Sequence, residues 1–158
     1  MIIRFSLNGS PVEADVRPDE MLLEVLRRDF ELTSVRVTCE IGVCGACTAL
    51  IDGDPISTCI FLAPLVDGRE ITTVDGLGGD HPVQQAFLET HAMQCGYCTP
   101  GMVLTVKRLL EENPAPSEEE IKVYSSVHEI AGDLLKTGPR RESDEQRPGL
   151  EPKSAGPP

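Results

Sequence analysis

The sequence predicts an α+β chain in which a strand-rich N-terminal half is followed by a small bundle of helices. Three observations carry this expectation. Side chains alternate over residues 2–7 and 11–17, the period of half-buried strands. The pairs Asn8-Gly9 and Asp52-Gly53 stand between such runs, and both residues of each pair tolerate the positive φ of a tight hairpin turn. Beyond Gly76, Gly78 and Gly79 the apolar spacing changes to that of helices.

In chain order, residues 2–7 and 11–17 form a first hairpin around Asn8-Gly9. Pro18 and Asp19 open a helix that presents Met21, Leu22, Val25 and Leu26 on one face and ends near Arg27 and Arg28. Periodicity then vanishes from Thr33 to Cys47, a loop with Gly42 and Gly45 between its cysteines. Thr48 to Ile51 and Pro55 to Thr58 make a second hairpin, and Glu70 to Val74 a last strand. Asp80 and Pro82 start a helix with Val83, Ala86, Phe87 and Thr90 on one face. Thr99 and Pro100 start another, whose stripe is Met102, Val103, Val106, Leu109 and Leu110 and whose stop is Asn113-Pro114. Ser117 and Glu120 form a capping box for a third helix, with Ile121, Tyr124, Val127, Ala131 and Leu134 facing inward and Gly138-Pro139 ending it.

This pattern divides the chain into a domain over residues 1–76, a helical domain over 77–137 and a tail over 138–158. The tail holds five Pro and three Gly in 21 positions with almost no apolar content, the composition of a disordered segment.

A net charge of −12 argues against nucleic acid or an anionic membrane as a partner, since phosphate contacts need clustered Lys and Arg. The N-terminus alternates where a signal peptide needs an unbroken apolar run, and no stretch approaches about 18 apolar residues. A cytoplasmic protein is expected. In that reducing compartment a cysteine cluster points to a metal or redox centre rather than to disulfides.

The six cysteines carry the chemistry. Cys39, Cys44 and Cys47 read CxxxxCxxC, and Cys59 follows after eleven intervening residues. Three thiolates from an irregular loop and one from a distant element is the ligand spacing of a plant-type [2Fe–2S] ferredoxin. A Cys₄ zinc site is the alternative, but such sites usually pair two short CxxC knuckles. Cys95 and Cys98 form one further CxxC at a helix junction, with no later cysteine to complete it.

The runs CEIGVCGACTALIDGDPISTC (residues 39–59), ITTVDGL (71–77) and QCGYCTPGM (94–102) closely resemble the iron–sulfur small subunit of molybdenum hydroxylases. That family includes xanthine dehydrogenase, carbon monoxide dehydrogenase and 4-hydroxybenzoyl-CoA reductase, and the resemblance spans residues 1–122. It implies a β-grasp ferredoxin domain followed by a helical-bundle domain, each with one [2Fe–2S] cluster. It also implies a molybdopterin-binding large subunit and an FAD-binding medium subunit as partners. The small subunit relays electrons between the molybdenum centre and a flavin or external acceptor, and has no activity alone. By the same resemblance Gln94 and Cys95 approach the pterin, and Cys95 and Cys98 are half of the second cluster's ligands.

This chain departs from the family at the other half. The family completes its second cluster with a CxC in a run resembling GNLCRCTGY, where this sequence places Ile130 and Gly132. Neither side chain ligates iron. Three explanations compete: the second cluster is absent; other groups such as His128, Glu129 or Asp133 ligate; or the sequence beyond Val123 reflects a frameshift, a spliced variant or a truncated gene. Two functional alternatives stand beside the electron-transfer subunit, a non-conducting assembly or regulatory paralogue and a free ferredoxin-like carrier.

Overall fold

The computed structural model describes residues 1–124 of the 158-residue chain. A five-stranded mixed sheet in the order β2-β1-β5-β3-β4 is built from β1 (Ile2–Leu7), β2 (Ser10–Asp15), β3 (Thr48–Ile51), β4 (Asp54–Ser57) and β5 (Glu70–Thr72). β1 runs parallel to β5, and the other pairings are antiparallel. The helices are α1 (Leu22–Arg28), α2 (Pro82–Glu89), α3 (Thr99–Glu112) and α4 (Glu118–Tyr124).

Both hairpins form at the Asn-Gly and Asp-Gly pairs, with φ of 50° and 80° at Asn8 and Gly9 and of 51° and 89° at Asp52 and Gly53. Along β1 the alternation sends Ile3, Phe5 and Leu7 into the core. There they meet Leu22, Leu23, Val25 and Leu26 of α1 together with Ala49, Ile51 and Ile71. Burying each of the larger aliphatic side chains contributes about 1.5–3 kcal/mol, so this layer stabilises a helix of two turns that would not form alone.

Three of the boundaries that differ from the expectation have a cause visible in the hydrogen bonds. α1 begins at Leu22, not near Pro18, because the Glu20 N–H closes a turn onto the Arg17 carbonyl (3.2 Å) and Met21 is extended, bridged to Leu62. β5 ends at Thr72 because the Thr73 N–H is taken by the Asn8 side-chain oxygen (2.8 Å), and a 3₁₀ turn over Val74–Leu77 follows. The cap of α2 is His81 rather than Asp80: its Nδ1 accepts the Val83 N–H (3.2 Å) while the Gln84 side chain accepts the His81 N–H (3.2 Å). His81 is therefore a partly buried capping residue.

A second core joins Val83 and Phe87 of α2, Met102, Val103, Val106 and Leu109 of α3, and Ile121 of α4, with Val74, Leu77 and Tyr124 at its edge. The Ser117–Glu120 capping box is present, the Glu120 carboxylate accepting from the Ser117 N–H (2.8 Å) and hydroxyl (2.6 Å). The inward stripe is seen at Ile121 and Tyr124. Its continuation through Val127, Ala131 and Leu134, the positions Ile130 and Gly132, and the tail over 138–158 lie outside the described residues.

β3 is buried at all four positions, unlike the other strands. Ala49 and Ile51 face α1, and α3 covers the opposite face carrying Thr48 and Leu50. Arg108 of α3 extends this contact to the second hairpin by pairing with Asp54 (3.1 Å).

Candidate metal centres

The cysteine loop has no regular element, and its shape comes from three residues with positive φ: Glu40 (55°), Gly42 (76°) and Gly45 (68°). At Gly42 the positive φ favours glycine, and a Cβ there would also make the exposed Ile60 side chain move aside. These turns aim backbone N–H groups at sulfur. The Cys44 N–H lies 3.5 Å from Cys39 Sγ. The N–H groups of Ile41, Cys44 and Val43, with the Cys44 thiol, pull the Cys39 thiol down to about 6. A thiolate is the form that binds iron, so the loop favours the ligand state in advance.

Cys47 and Cys59 form the buried side of the site, 3% and 7% exposed. Cys59 sits in a 3₁₀ turn over Thr58–Ile60 that follows β4 directly. Thr58 fixes that turn against the loop: its hydroxyl donates to the Cys47 carbonyl at 2.8 Å and its N–H reaches the same oxygen at 3.4 Å. Thr58 is fully buried and was not legible as a site residue from spacing. Its one sequence signal is adjacency to the distant cysteine.

Burial pushes the Cys59 thiol up to about 11; the Cys47 thiol and the charges of Cys47 and Cys39 add to this, and a hydrogen bond from Gly42 opposes it. Thiols that act on one another in this way lie close together. Iron removes the conflict by taking the sulfurs as thiolates. The four residues thus fit a [2Fe–2S] cluster in donor type, number and convergence. Among the described residues no three His, Cys, Asp or Glu side chains close on a single metal ion. A two-iron cluster does not need that, because it takes two thiolates per iron.

Cys95 and Cys98 lie beside this site. Cys98 caps α3 and is half-buried, its Sγ 3.6 Å from the Met102 sulfur, whereas Gln94 and Cys95 are exposed. Burial raises the Cys98 thiol, and the charges of Cys95 and Cys44 raise it further, so the two cysteine groups sense each other. Two contacts fasten the segment to the first loop. The Tyr97 hydroxyl donates to the Val37 carbonyl (2.7 Å), and the Arg36 guanidinium lies 5.2 Å from the centre of the Tyr97 ring. In the first turn of α3, Gly101 approaches the Gly45 carbonyl so closely that a Cβ would collide with it.

A family model described as "2Fe-2S iron-sulfur cluster binding domain" matches residues 5–73, and one described as "[2Fe-2S] binding domain" matches residues 73–128. The chain is 49% identical over 127 residues to the nicotinate dehydrogenase small FeS subunit of Eubacterium barkeri, covering 78% of this chain and 81% of that one. The chain belongs to the iron–sulfur small subunits of the molybdenum hydroxylases. It is 41% identical over 136 residues to the nicotine 6-hydroxylase small subunit of Paenarthrobacter nicotinovorans, covering 85% of this chain and 79% of the relative. Its fold matches the crystal structure of quinoline 2-oxidoreductase from Pseudomonas putida 86 with a TM-score of 0.81 and 39% identity, over 87% of this chain and 91% of that one.

Within this family the chain's sequence departs at the second site. The region matched by the second model contains two cysteines, and the match ends at residue 128, before Ile130 and Gly132. A [2Fe–2S] cluster takes four ligands of soft sulfur or imidazole type. His81 is engaged as a helix cap through its Nδ1. Among the described residues Cys95 and Cys98 supply two of the four ligands a cluster needs, and His128, Glu129 and Asp133 lie outside them.

Proposed function

We propose that this chain is the electron-transfer subunit of a molybdopterin-dependent hydroxylase or dehydrogenase, bound to a molybdopterin-binding large subunit and an FAD-binding medium subunit. The carrying observation is the convergence of Cys39, Cys44, Cys47 and Cys59 under N–H groups of the loop, two of the sulfurs exposed enough to face a partner and two buried. A [2Fe–2S] cluster held there supplies one-electron exchange. The protein's own residues position and shield it: Gly42 and Gly45 let the loop wrap, Thr58 holds the Cys59 turn, and Ile60 packs over Gly42.

A rim of large exposed apolar side chains, Val37, Ile41, Val43, Ile60 and Tyr97, surrounds the loop, with Ile41 and Val43 exposed by 68% and 72%. Such a concentration favours a docked subunit over a chain that diffuses alone. Gln94 and Cys95 are assigned to the pterin-facing side. The two separate cores support domains over 1–76 and 77–137. Among the described residues no helix is long and apolar enough to cross a membrane, and the compartment assigned is the cytoplasm.

The test is coexpression with candidate large and flavin subunits. Stoichiometric copurification with turnover, at about two irons and two sulfides per small subunit, is the expected result. A monomeric, reducible chain that binds neither subunit would establish the free carrier instead. A stable complex without turnover would establish the regulatory paralogue.

A further inference from the structure

We propose that Cys95 and Cys98 are a redox-active dithiol, which a small-molecule disulfide of the glutathione class converts reversibly to an intrachain disulfide. The inference rests on Ile130 and Gly132 standing in the sequence where the family carries the two cysteines that complete its second cluster. It does not depend on which subunits the chain docks to.

Exposure and spacing assign the roles of attacking and resolving thiol. Cys95 is exposed and Cys98 half-buried, so a reagent in solution reaches Cys95 first. Gly96, with φ of 76° and open space where a Cβ would point, bends the chain between them. Cys98 immediately precedes α3, a helix of 14 residues. The two cysteines are separated by two residues, the spacing at which a dithiol closes on itself in disulfide oxidoreductases. Among the described residues the hydrogen-bond contact of Cys98 Sγ is the Met102 sulfur, a weak partner.

The chemistry balances as two exchanges. The Cys95 thiolate attacks one sulfur of the reagent, forming a mixed disulfide and expelling one thiol. The Cys98 thiolate then attacks Cys95 Sγ, forming the Cys95–Cys98 bond and expelling the second thiol. Two protein thiols lose two electrons and two protons, and the reagent disulfide gains them as two thiols. An excess of the reduced thiol reverses both steps.

Position gives the pair a consequence for the ferredoxin half. Tyr97, between the cysteines, is bonded to the Val37 carbonyl, and Gly101, three residues beyond Cys98, rests on the Gly45 carbonyl in the first cluster's loop. Closing the disulfide therefore acts where α3 meets that loop. Because Gln94 and Cys95 are assigned to the pterin-facing side, the dithiol operates on the chain before it docks.

The test uses the full chain with its first site loaded, equilibrated anaerobically in mixtures of reduced and oxidised glutathione, then blocked with N-ethylmaleimide and mapped by peptide mass. Two thiols, on the peptide carrying Cys95 and Cys98, should become unblockable in oxidising mixtures and return with dithiothreitol. Cys98→Ser should accumulate glutathione on Cys95, and Cys95→Ser should accumulate roughly tenfold less on Cys98. Thiols that stay blockable throughout, in a chain with about two irons, overturn the dithiol while leaving the incomplete site intact. About four irons with two paramagnetic signals on reduction, and a pair blockable only after iron removal, overturn both. The wild-type measurement stands even if either variant fails to fold. The electron-transfer reading fails separately, by copurification.

Discussion

Gly101→Ala reverses the usual sign of a glycine-to-alanine change in a helix. In an unobstructed helix interior, alanine is favoured by about 1 kcal/mol, and the gain is smaller in a first turn. Here the added Cβ meets backbone: it collides with the Gly45 carbonyl oxygen, and it lies 3.3 Å from the Gly45 carbonyl carbon and 3.4 Å from Thr48 Cβ. That carbonyl is not free to move, since it accepts the Thr48 hydroxyl (2.7 Å) and the Thr48 N–H (3.1 Å). A side chain could rotate away, but a doubly bonded carbonyl in a loop between two cysteines cannot. Overpacking of this kind costs about 1–3 kcal/mol, and the propensity gain offsets at most about 1. A net loss of about 1–2 kcal/mol is expected, read as a lower midpoint in anaerobic urea unfolding followed by far-ultraviolet circular dichroism. The displaced loop should also alter the visible absorption of the bound cluster. A variant as stable as the wild type, with an unchanged visible spectrum, would refute the close approach of α3 to the cysteine loop.

Cys59→Ser removes the ligand furthest from the loop, and the purified protein should lose most of its roughly two irons per chain and its visible absorption, measured by iron assay. Tyr97→Phe deletes the bond to the Val37 carbonyl and should cost about 0.5–1.5 kcal/mol in thermal unfolding, with iron content unchanged. Glu20, 2% exposed, accepts the Arg17 N–H (3.0 Å) and pairs with Arg28, which together hold its carboxyl below the ordinary 4.5 despite burial. A depressed folded pKa stabilises the fold above about 4.5 and is lost as pH falls through the folded value. Glu20→Gln should therefore cost about 1.5–3 kcal/mol at neutral pH, with the gap to wild type closing under acid, as denaturation at a series of pH values checks.

The local elements were legible because local physics decides them. Asn8-Gly9 and Asp52-Gly53 have few alternatives to a tight turn, and the spacing of Leu22, Val25 and Leu26, or of Met102, Val106 and Leu109, defines a helix face without any partner. The ends of elements were less legible because distant groups compete for them. Asn8 takes the Thr73 N–H and stops β5, and the Met21–Leu62 bridge delays α1. The buried ion pair at Glu20 was equally hidden, its carboxyl looking in sequence like one more surface acid.

By itself the sequence determined the family, the ferredoxin-like spacing of Cys39, Cys44, Cys47 and Cys59, and the presence of Ile130 and Gly132 where the family has cysteines, since these depend on which side chains exist and how far apart they lie along the chain. Tertiary structure alone decided what makes those ligands a site. It set Cys59 beside Cys47 through Thr58, seated α3 on the Gly45 carbonyl through the bare Cα of Gly101, and joined the CGYC turn to the Val37 carbonyl through Tyr97. Those contacts link residues 11, 56 and 60 positions apart, and nothing in a linear pattern encodes a distance that only the folded sheet and helix create.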